Sequence, residues 1–369
     1  MKDLHAKPFD EGTIAKLEIF EDYAQAWLPT FIMQSKPEIC IFDLFAGTGY
    51  DLNGIQGSPI RILEKVNEYL GIIFKNKVHI KLYLNEFEPT KKKQEKFEIL
   101  KEACNAYLDK NKAVKRALTI EYYNEDFATL FPKLIPAIKK NPSLVYLDQN
   151  GIKFLESKYL LELEKINETD FIYFVSSSYF KRFGKTEEFR AHFEVDIDEI
   201  NSNPYRFIHR IVLNQLKSTL PSSSRLKLYP FTIKKGKNIY GIIFGAKHPR
   251  AVDKFLDISW KKNSVNGDAN FDIDDDTNKK QFDLFSGSVP LTKIEAFKQK
   301  VEVKILSKEI SNNFELLNFV YDEGHLPKHA SDCLKELNNK KLIKYASKSP
   351  LVNYDNVHKK ERLLEYIIL

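Results

Sequence analysis

Two glycines one residue apart, Gly47 and Gly49, follow the apolar run Ile39-Cys40-Ile41-Phe42-Asp43-Leu44-Phe45. Glycine lets backbone N–H groups approach a polar or anionic ligand, and the N-terminus of the next helix adds a favourable dipole. A bare Gly-x-Gly also occurs in tight turns that hold nothing. Here it comes after a strand-like run, follows the acid Asp43 and the ring of Phe45, and precedes further acids at strand ends. That context favours a ligand over an empty turn.

The other acids have two readings each. Glu86 ends the run His79–Leu84, where a carboxylate can accept both hydroxyl hydrogens of a ribose; it can equally be an acid stabilised by a helix dipole. Asp126 ends Leu118–Tyr122 and can accept from an adenine amino group, with Phe127 beside the ring, or it can simply cap the helix that follows. Asp148 ends Leu144–Leu147, next to the point where a doubly wound sheet reverses its strand order. There Asp148 can position a substrate nitrogen or oxygen and Asn150 can exchange a hydrogen bond with it; the alternative is an Asx turn.

Two metal-like patterns are weaker. His325, His329 and Cys333 are spaced by four, but Pro327 places His325 outside the helix. Asp272, Asp274 and Asp276 imitate the start of a calcium loop, yet Thr277 stands where glycine is required, so a solvated acidic loop is expected. No metal site is expected. Lys328, His329, Ser331 and Lys335 fall on the outer face of a C-terminal helix, where a helix-turn-helix reader puts its contacts. A solvated helix face is the alternative, and Asp332 and Glu336 beside them weaken phosphate contact.

The elements that must position these residues alternate between strand-like and helical runs, the mark of βαβ units and a parallel sheet. A helix is expected before the first strand, with Ile14, Leu17, Phe20, Tyr23 and Trp27 at helical spacing. Another starts near Gly57-Ser58-Pro59, where Ser58 can cap and Pro59 suits the first helical position. Arg225–Ile233 and Ile239–Phe244 read as an antiparallel hairpin. The expected fold is α/β: a doubly wound, mostly parallel sheet with one antiparallel hairpin over residues 1–260. A polar connecting segment at 261–290 follows, then a winged helix-turn-helix domain at 291–369. In that domain Ala330, Cys333, Leu334 and Leu337 face inward, and Leu342–Tyr345 and Leu363–Leu369 supply the wing strands.

With 369 residues the chain is long enough for one large domain and a smaller one. Its net charge of +6 is a mild excess, compatible with a polyanionic partner without requiring one. Three scattered cysteines suggest a reducing compartment rather than a disulfide framework. The first residues, MKDLHAKPFDEGT, lack the apolar core of a secretory signal, and no apolar run approaches a membrane span. A cytoplasmic protein with no membrane partner is expected.

Several motifs appear together in order: Phe9-Asp10-Glu11-Gly12-Thr13 with Lys16-Leu17, Asp43–Gly49, Gly57-Ser58-Pro59, and Phe244-Gly245-Ala246-Lys247-His248-Pro249 followed by Trp260 and Gly267. Together they resemble the three-Cys-motif partner protein (TcmP) family over most of the chain. The resemblance implies a class I S-adenosylmethionine-methyltransferase-like Rossmann domain with an attached winged helix, and a bacterial setting. It also implies a three-Cys, radical-SAM-like partner protein. On this basis S-adenosylmethionine is the expected cofactor, with the Gly47–Gly49 backbone at its methionine end, Glu86 at the ribose, Asp126 at the adenine and Asp148 orienting the acceptor. One departure matters. Where the family reads Asp-Pro-aromatic-Gly, this chain has Asp148-Gln149-Asn150-Gly151. Base methyltransferases commonly stack a flipped base on such an aromatic, so nucleobase chemistry here requires Tyr179 or Phe180 to supply the ring. The expectation is a methyltransferase acting on DNA, RNA or a partner-modified substrate. The alternative is a non-catalytic subunit that binds DNA or a partner.

Overall fold

The structure is a computed structural model that describes residues 8–89, 95–148, 156–177, 196–236, 238–279 and 290–369. Its chain divides into two compact units, 1–247 and 248–369.

The first unit is built on β1 (Glu38–Asp43), β2 (His79–Asn85), β3 (Leu118–Tyr123), β4 (Ser143–Leu147), β5 (Thr169–Ser176), β6 (Lys227–Lys235) and β7 (Asn238–Ala246). They form one sheet in the order β3-β2-β1-β4-β5-β7-β6. β1 to β5 are parallel, and β7 runs antiparallel between β5 and β6. This is the mostly parallel, hairpin-finished sheet of the class I methyltransferase fold. Strand order reverses between β1 and β4, so the loops leaving those two strands flank the switch point where such sheets bind ligands.

Every residue of β4 and β5 is buried, as expected for strands covered on both faces. The described α-helices of this unit are α1 (Glu11–Met33), α2 (Ser58–Glu68), α3 (Leu70–Lys75), α4 (Glu95–Lys110), α5 (Lys112–Ala117), α6 (Phe127–Lys140), α7 (Ser157–Glu164), α8 (Ile197–Ser202) and α9 (Ile208–Ser218). One face packs Phe42, Val145 and Phe171 with Phe131, Leu134 and Val212 from α6 and α9. Helix α1 carries Leu17, Phe20, Tyr23 and Trp27 inward at the expected spacing. The Phe20 ring stacks on Tyr146 of β4 at 4.0 Å, and burying a side chain of that size is worth ~2 kcal/mol. Asp10 caps α1 by accepting from the Thr13 N–H at 2.8 Å. At α2 the cap differs from expectation. Gly57 occupies the capping position without a side-chain bond, and Ser58 is the first helical residue.

The second unit contains α10 (Pro249–Lys262), α11 (Lys293–Leu306), α12 (Asn313–Asp322), α13 (Pro327–Asn339) and the short paired strands β8 (Ile343–Lys344) and β9 (Ile367–Ile368). Thr292 and Glu295 form a capping box at α11, and Asn312 caps α12. The apolar stripe of α13, Ala330, Cys333, Leu334 and Leu337, is buried as expected. This helix-turn-helix with a closing hairpin is a winged helix. The polar stretch after α10 is no slack linker over its described part. Ala269 and Ile273 are buried, and Gly267 (φ +65°) lies so close to Trp260 that a Cβ would come within 2.3 Å of its ring. No described helix is long and apolar enough to cross a membrane.

Candidate functional site

Asp43 is the last residue of β1 and is 1% exposed. One carboxylate oxygen accepts from the Phe45 N–H at 3.3 Å, and the Ser58 hydroxyl also bonds the carboxylate. The other, Oδ2, is buried with no hydrogen-bond partner among the described residues. Burial pushes the carboxyl up to about 7; the bonds from Ser58 and Phe45 offset part of this, while the charges of Asp148 and Glu86 add to it. The Ser58 expected to cap a helix thus serves this acid instead.

The loop after Asp43 turns through Gly47 (φ +67°) and Gly49 (φ +86°), a backbone region that side chains resist. A Cβ on Gly49 would meet the Ala103 Cβ at 3.0 Å, so only glycine fits there without strain. The Gly57 N–H donates to Gly49 O at 2.8 Å and ties the loop to the start of α2. Glu86 Oε2 accepts from the Gly47 N–H at 2.8 Å, so the acid after β2 braces the glycine loop. Carboxylate oxygens have further acceptor capacity beyond that bond.

Asp148 follows β4 and forms an ion pair with Lys16 of α1. The Tyr146 hydroxyl lies 3.5 Å from Asp148 Oδ2. Lys16 is nearly buried, and its ammonium sits 4.2 Å above the Phe174 ring of β5. Among the described residues, three strand-end carboxyl groups, from Asp43, Glu86 and Asp148, therefore converge with one ammonium beside the switch point. An arrangement with that charge balance favours a ligand bearing positive charge.

Asp126 stands apart from this group. It is exposed and caps α6 by accepting from the Ala128 N–H at 2.9 Å. Phe127 is 1% exposed and belongs to the core with Phe131 and Tyr159. Phe45 stacks on it at 5.6 Å and is only partly buried. Asn150, with Gln149, Gly151, Tyr179 and Phe180, lies outside the described residues.

Asn85, Lys16 and Ser58 had no functional role in the sequence reading. Buried Asn85 donates to Leu44 O at 3.2 Å and Glu125 O at 3.1 Å, and accepts from the Glu125 N–H at 3.1 Å. One side chain thus ties together the loops after β1 and β3. Its position directly before Glu86 was the only local hint. Lys16 lay in a recognised motif, but nothing in the chain paired it with Asp148, 132 residues on.

In the second unit Lys328 and Lys335 are exposed on α13, and Ser331 is half-buried. Lys335 is paired with Asp332 at 3.2 Å. His329 is not on the outer face. Its ring meets Trp260 edge-on at 4.5 Å and its Nδ1 lies 3.1 Å from that of His325, which stacks on Phe297 at 3.9 Å. Burial lowers His329 to about 4 and His325 further, so neither carries charge at neutral pH. Asp272 accepts from the Asp276 and Thr277 N–H groups and the Thr277 hydroxyl, a self-contained turn. Among the described residues no group of three His, Cys, Asp or Glu side chains is placed to hold a metal.

Residues 270–350 match the family model of the GMT-like wHTH domain, in agreement with the winged helix described above. No curated protein matches the chain. Among solved structures, the chain is similar to an O-methyltransferase of Streptomyces achromogenes involved in tomaymycin synthesis, in complex with SAM. The identity is 10%, over 66% of this chain and 92% of that one, with a TM-score of 0.32. It is similar also to an O-methyltransferase of Bacillus cereus in complex with SAH, at 12% identity over 64% of this chain and 91% of that one, with a TM-score of 0.30. The class of the fold follows from strand order and direction, independently of these superpositions.

Proposed function

We propose that the first unit binds S-adenosylmethionine and transfers its methyl group. The observation that carries this reading is Asp43: a buried acid at the switch point, beside a left-handed glycine loop, with one oxygen unpartnered among the described residues. A cofactor with an ammonium and a sulfonium suits a site whose described residues hold three carboxyl groups and one lysine. In this reading Asp43 and the Gly47–Gly49 backbone hold the methionine end and Glu86 the ribose. Asp126 lies toward the adenine, and the half-buried Phe45 ring takes the stacking role first expected of Phe127. When bound, the cofactor supplies an electrophilic methyl group. Asp148, held by Lys16, accepts a hydrogen bond from the acceptor's N–H or O–H and so orients its lone pair, and in this reading Asn150 exchanges a second hydrogen bond with the acceptor.

The acceptor in this reading is a nucleic acid or a substrate modified by a three-Cys partner of the kind the TcmP resemblance implies. The winged-helix unit supplies the nucleic-acid contact. Calorimetric titration with S-adenosylmethionine and S-adenosylhomocysteine, alongside Gly47→Asp, tests the cofactor assignment. Saturable binding that is lost in the variant is expected. Absence of binding by folded wild-type protein, with or without the partner, removes the reading. The altered Asp148-Gln149-Asn150-Gly151 segment favours a second reading, a subunit that binds the cofactor without turnover. Binding with no methyl transfer to any nucleic acid or partner-treated substrate would select it.

A further inference from the structure

Positive charge in the second unit is distributed unevenly. On helix α13 Lys335 pairs with Asp332 and Glu336 is taken by Lys298, which leaves Lys328 as its one lysine without an ion pair among the described residues. The lysines of α11 are spoken for: Lys293 faces Asp268, Lys298 faces Glu336, Lys300 faces Glu323 and Lys304 reaches Glu309. The last thirty residues differ. Residues 340–369 hold seven Lys and Arg against three Asp and Glu, so they carry four of the chain's net +6. All seven cations are exposed. Lys359 is paired with Asp355, whereas Lys340, Lys341, Lys344, Lys348, Lys360 and Arg362 make no ion pair among the described residues.

These cations stand on an ordered frame. Strands β8 and β9 pair through Ile343↔Ile368 and Lys344↔Ile367, and the Leu369 N–H continues the ladder to Leu342 O. The long connection between the strands is pinned from inside by Asn313, at the start of α12. Its side-chain amide donates to Arg362 O at 2.9 Å and Leu351 O at 3.3 Å, and its oxygen accepts from the Leu364 N–H at 2.8 Å. The Tyr366 hydroxyl adds a bond to Pro350 O at 2.9 Å. The six cations are thus held on a fixed backbone, and binding an anion need not order the loop as well.

We infer that the wing, residues 340–369, with six unpaired cations, is the main surface by which this unit grips the phosphate backbone of a nucleic-acid duplex, and that α13, with Lys328 alone unpaired, adds at most one such contact. A cation already paired within the protein must give up its partner to meet a phosphate. An unpaired exposed lysine only releases counterions from the duplex, and that release is the main source of non-specific affinity. This deepens the nucleic-acid part of the proposed function and does not depend on methyl transfer.

The test is fluorescence anisotropy of the full chain with a labelled mixed-sequence duplex of DNA, and in parallel of RNA, over a range of KCl. The variants are K340Q/K341Q/K344Q, K348Q/K360Q/R362Q and, on α13, K328Q/K335Q. All of these positions are exposed, and circular dichroism checks that each variant is folded. Six phosphate contacts predict that wild-type affinity falls about 10³-fold between 50 and 200 mM salt. Each wing triple should flatten the slope of log K against log salt by about 2.7 and weaken binding at least about tenfold, while the α13 double, which removes one unpaired lysine, flattens it by no more than about 0.9. The tighter of the two duplexes identifies the nucleic acid. Wild-type-like binding by both wing triples overturns the inference and leaves the nucleic-acid reading standing. No wild-type binding at 20 mM salt, or binding only to anionic phospholipid vesicles, overturns both.

Discussion

Replacing Asp43 by Asn should make the first unit more stable at pH 8 and leave it nearly unchanged at pH 4. Asn keeps the shape and the acceptor used by Phe45 and Ser58, and removes only the charge. In the folded protein burial raises this carboxyl from 3.8 to about 7. Between those values the folded state holds a proton that the unfolded chain has released, so wild-type stability declines as pH rises through this window. Below 3.8 both states are protonated and the effect vanishes. Above 7 the full cost applies, and a displacement of about three pH units at 1.36 kcal/mol each sets it at ~4 kcal/mol. That figure is an upper bound, because water entering the site would solvate the charge. Urea unfolding followed by circular dichroism at pH 4, 5.5 and 8 measures it. The expected result is a wild-type midpoint that falls over this range relative to D43N, with the two converging at pH 4. Parallel profiles for the two proteins would show that Asp43 titrates normally, and the argument from its burial would fail. The same charge should govern ligand affinity. Binding of a cationic cofactor should strengthen as pH rises through 7 in the wild type and stay flat in D43N.

Other positions test the frame around the site. Gly49→Ala forces a side chain into φ +86° and against Ala103, so a loss of ~1–3 kcal/mol and weakened cofactor binding are expected in melting and calorimetry. Asn85→Ala strips partners from buried backbone groups of two loops and should cost ~3 kcal/mol, read as a lower melting temperature. His325 and His329 are held neutral, so the second unit should lose stability as pH falls from about 6.5 toward 4, where the unfolded chain takes up protons first. Unfolding monitored by fluorescence in a Trp27→Phe background, which isolates Trp260, should show this slope, and His329→Gln should reduce it. Gly267→Ala drives a methyl into the Trp260 ring and should destabilise the second unit by several kcal/mol, seen in the same signal.

Much of this architecture is written locally. Ile39–Phe42 and Phe171–Val175 announce buried parallel strands because continuous apolar runs of that length have no solvent-facing side to supply. The stripes of α1 and α13 follow from a 3.6-residue period, and the two strand-like runs Arg225–Ile233 and Ile239–Phe244 mark the hairpin. The glycine loop and the strand-end acids were legible for the same reason: each is a short pattern whose meaning depends on its immediate neighbours.

What the chain alone left open was which of those acids meet. Asp43, Glu86 and Asp148 are far apart in sequence and converge only because parallel strands β1, β2 and β4 lie side by side and end on the same edge. Asp126 has the same local signature, but β3 is the outermost strand and its acid caps α6. Whether Ser58 caps a helix or bonds Asp43, whether Lys16 points to solvent or to Asp148, and whether His329 faces outward or against Trp260 are likewise matters of packing. A buried polar group takes whatever partner the fold brings within reach, and no periodicity encodes that choice. Sequence determined the elements and the candidate chemistry. Tertiary structure decided the company each charged group keeps, and with it the charge of the site.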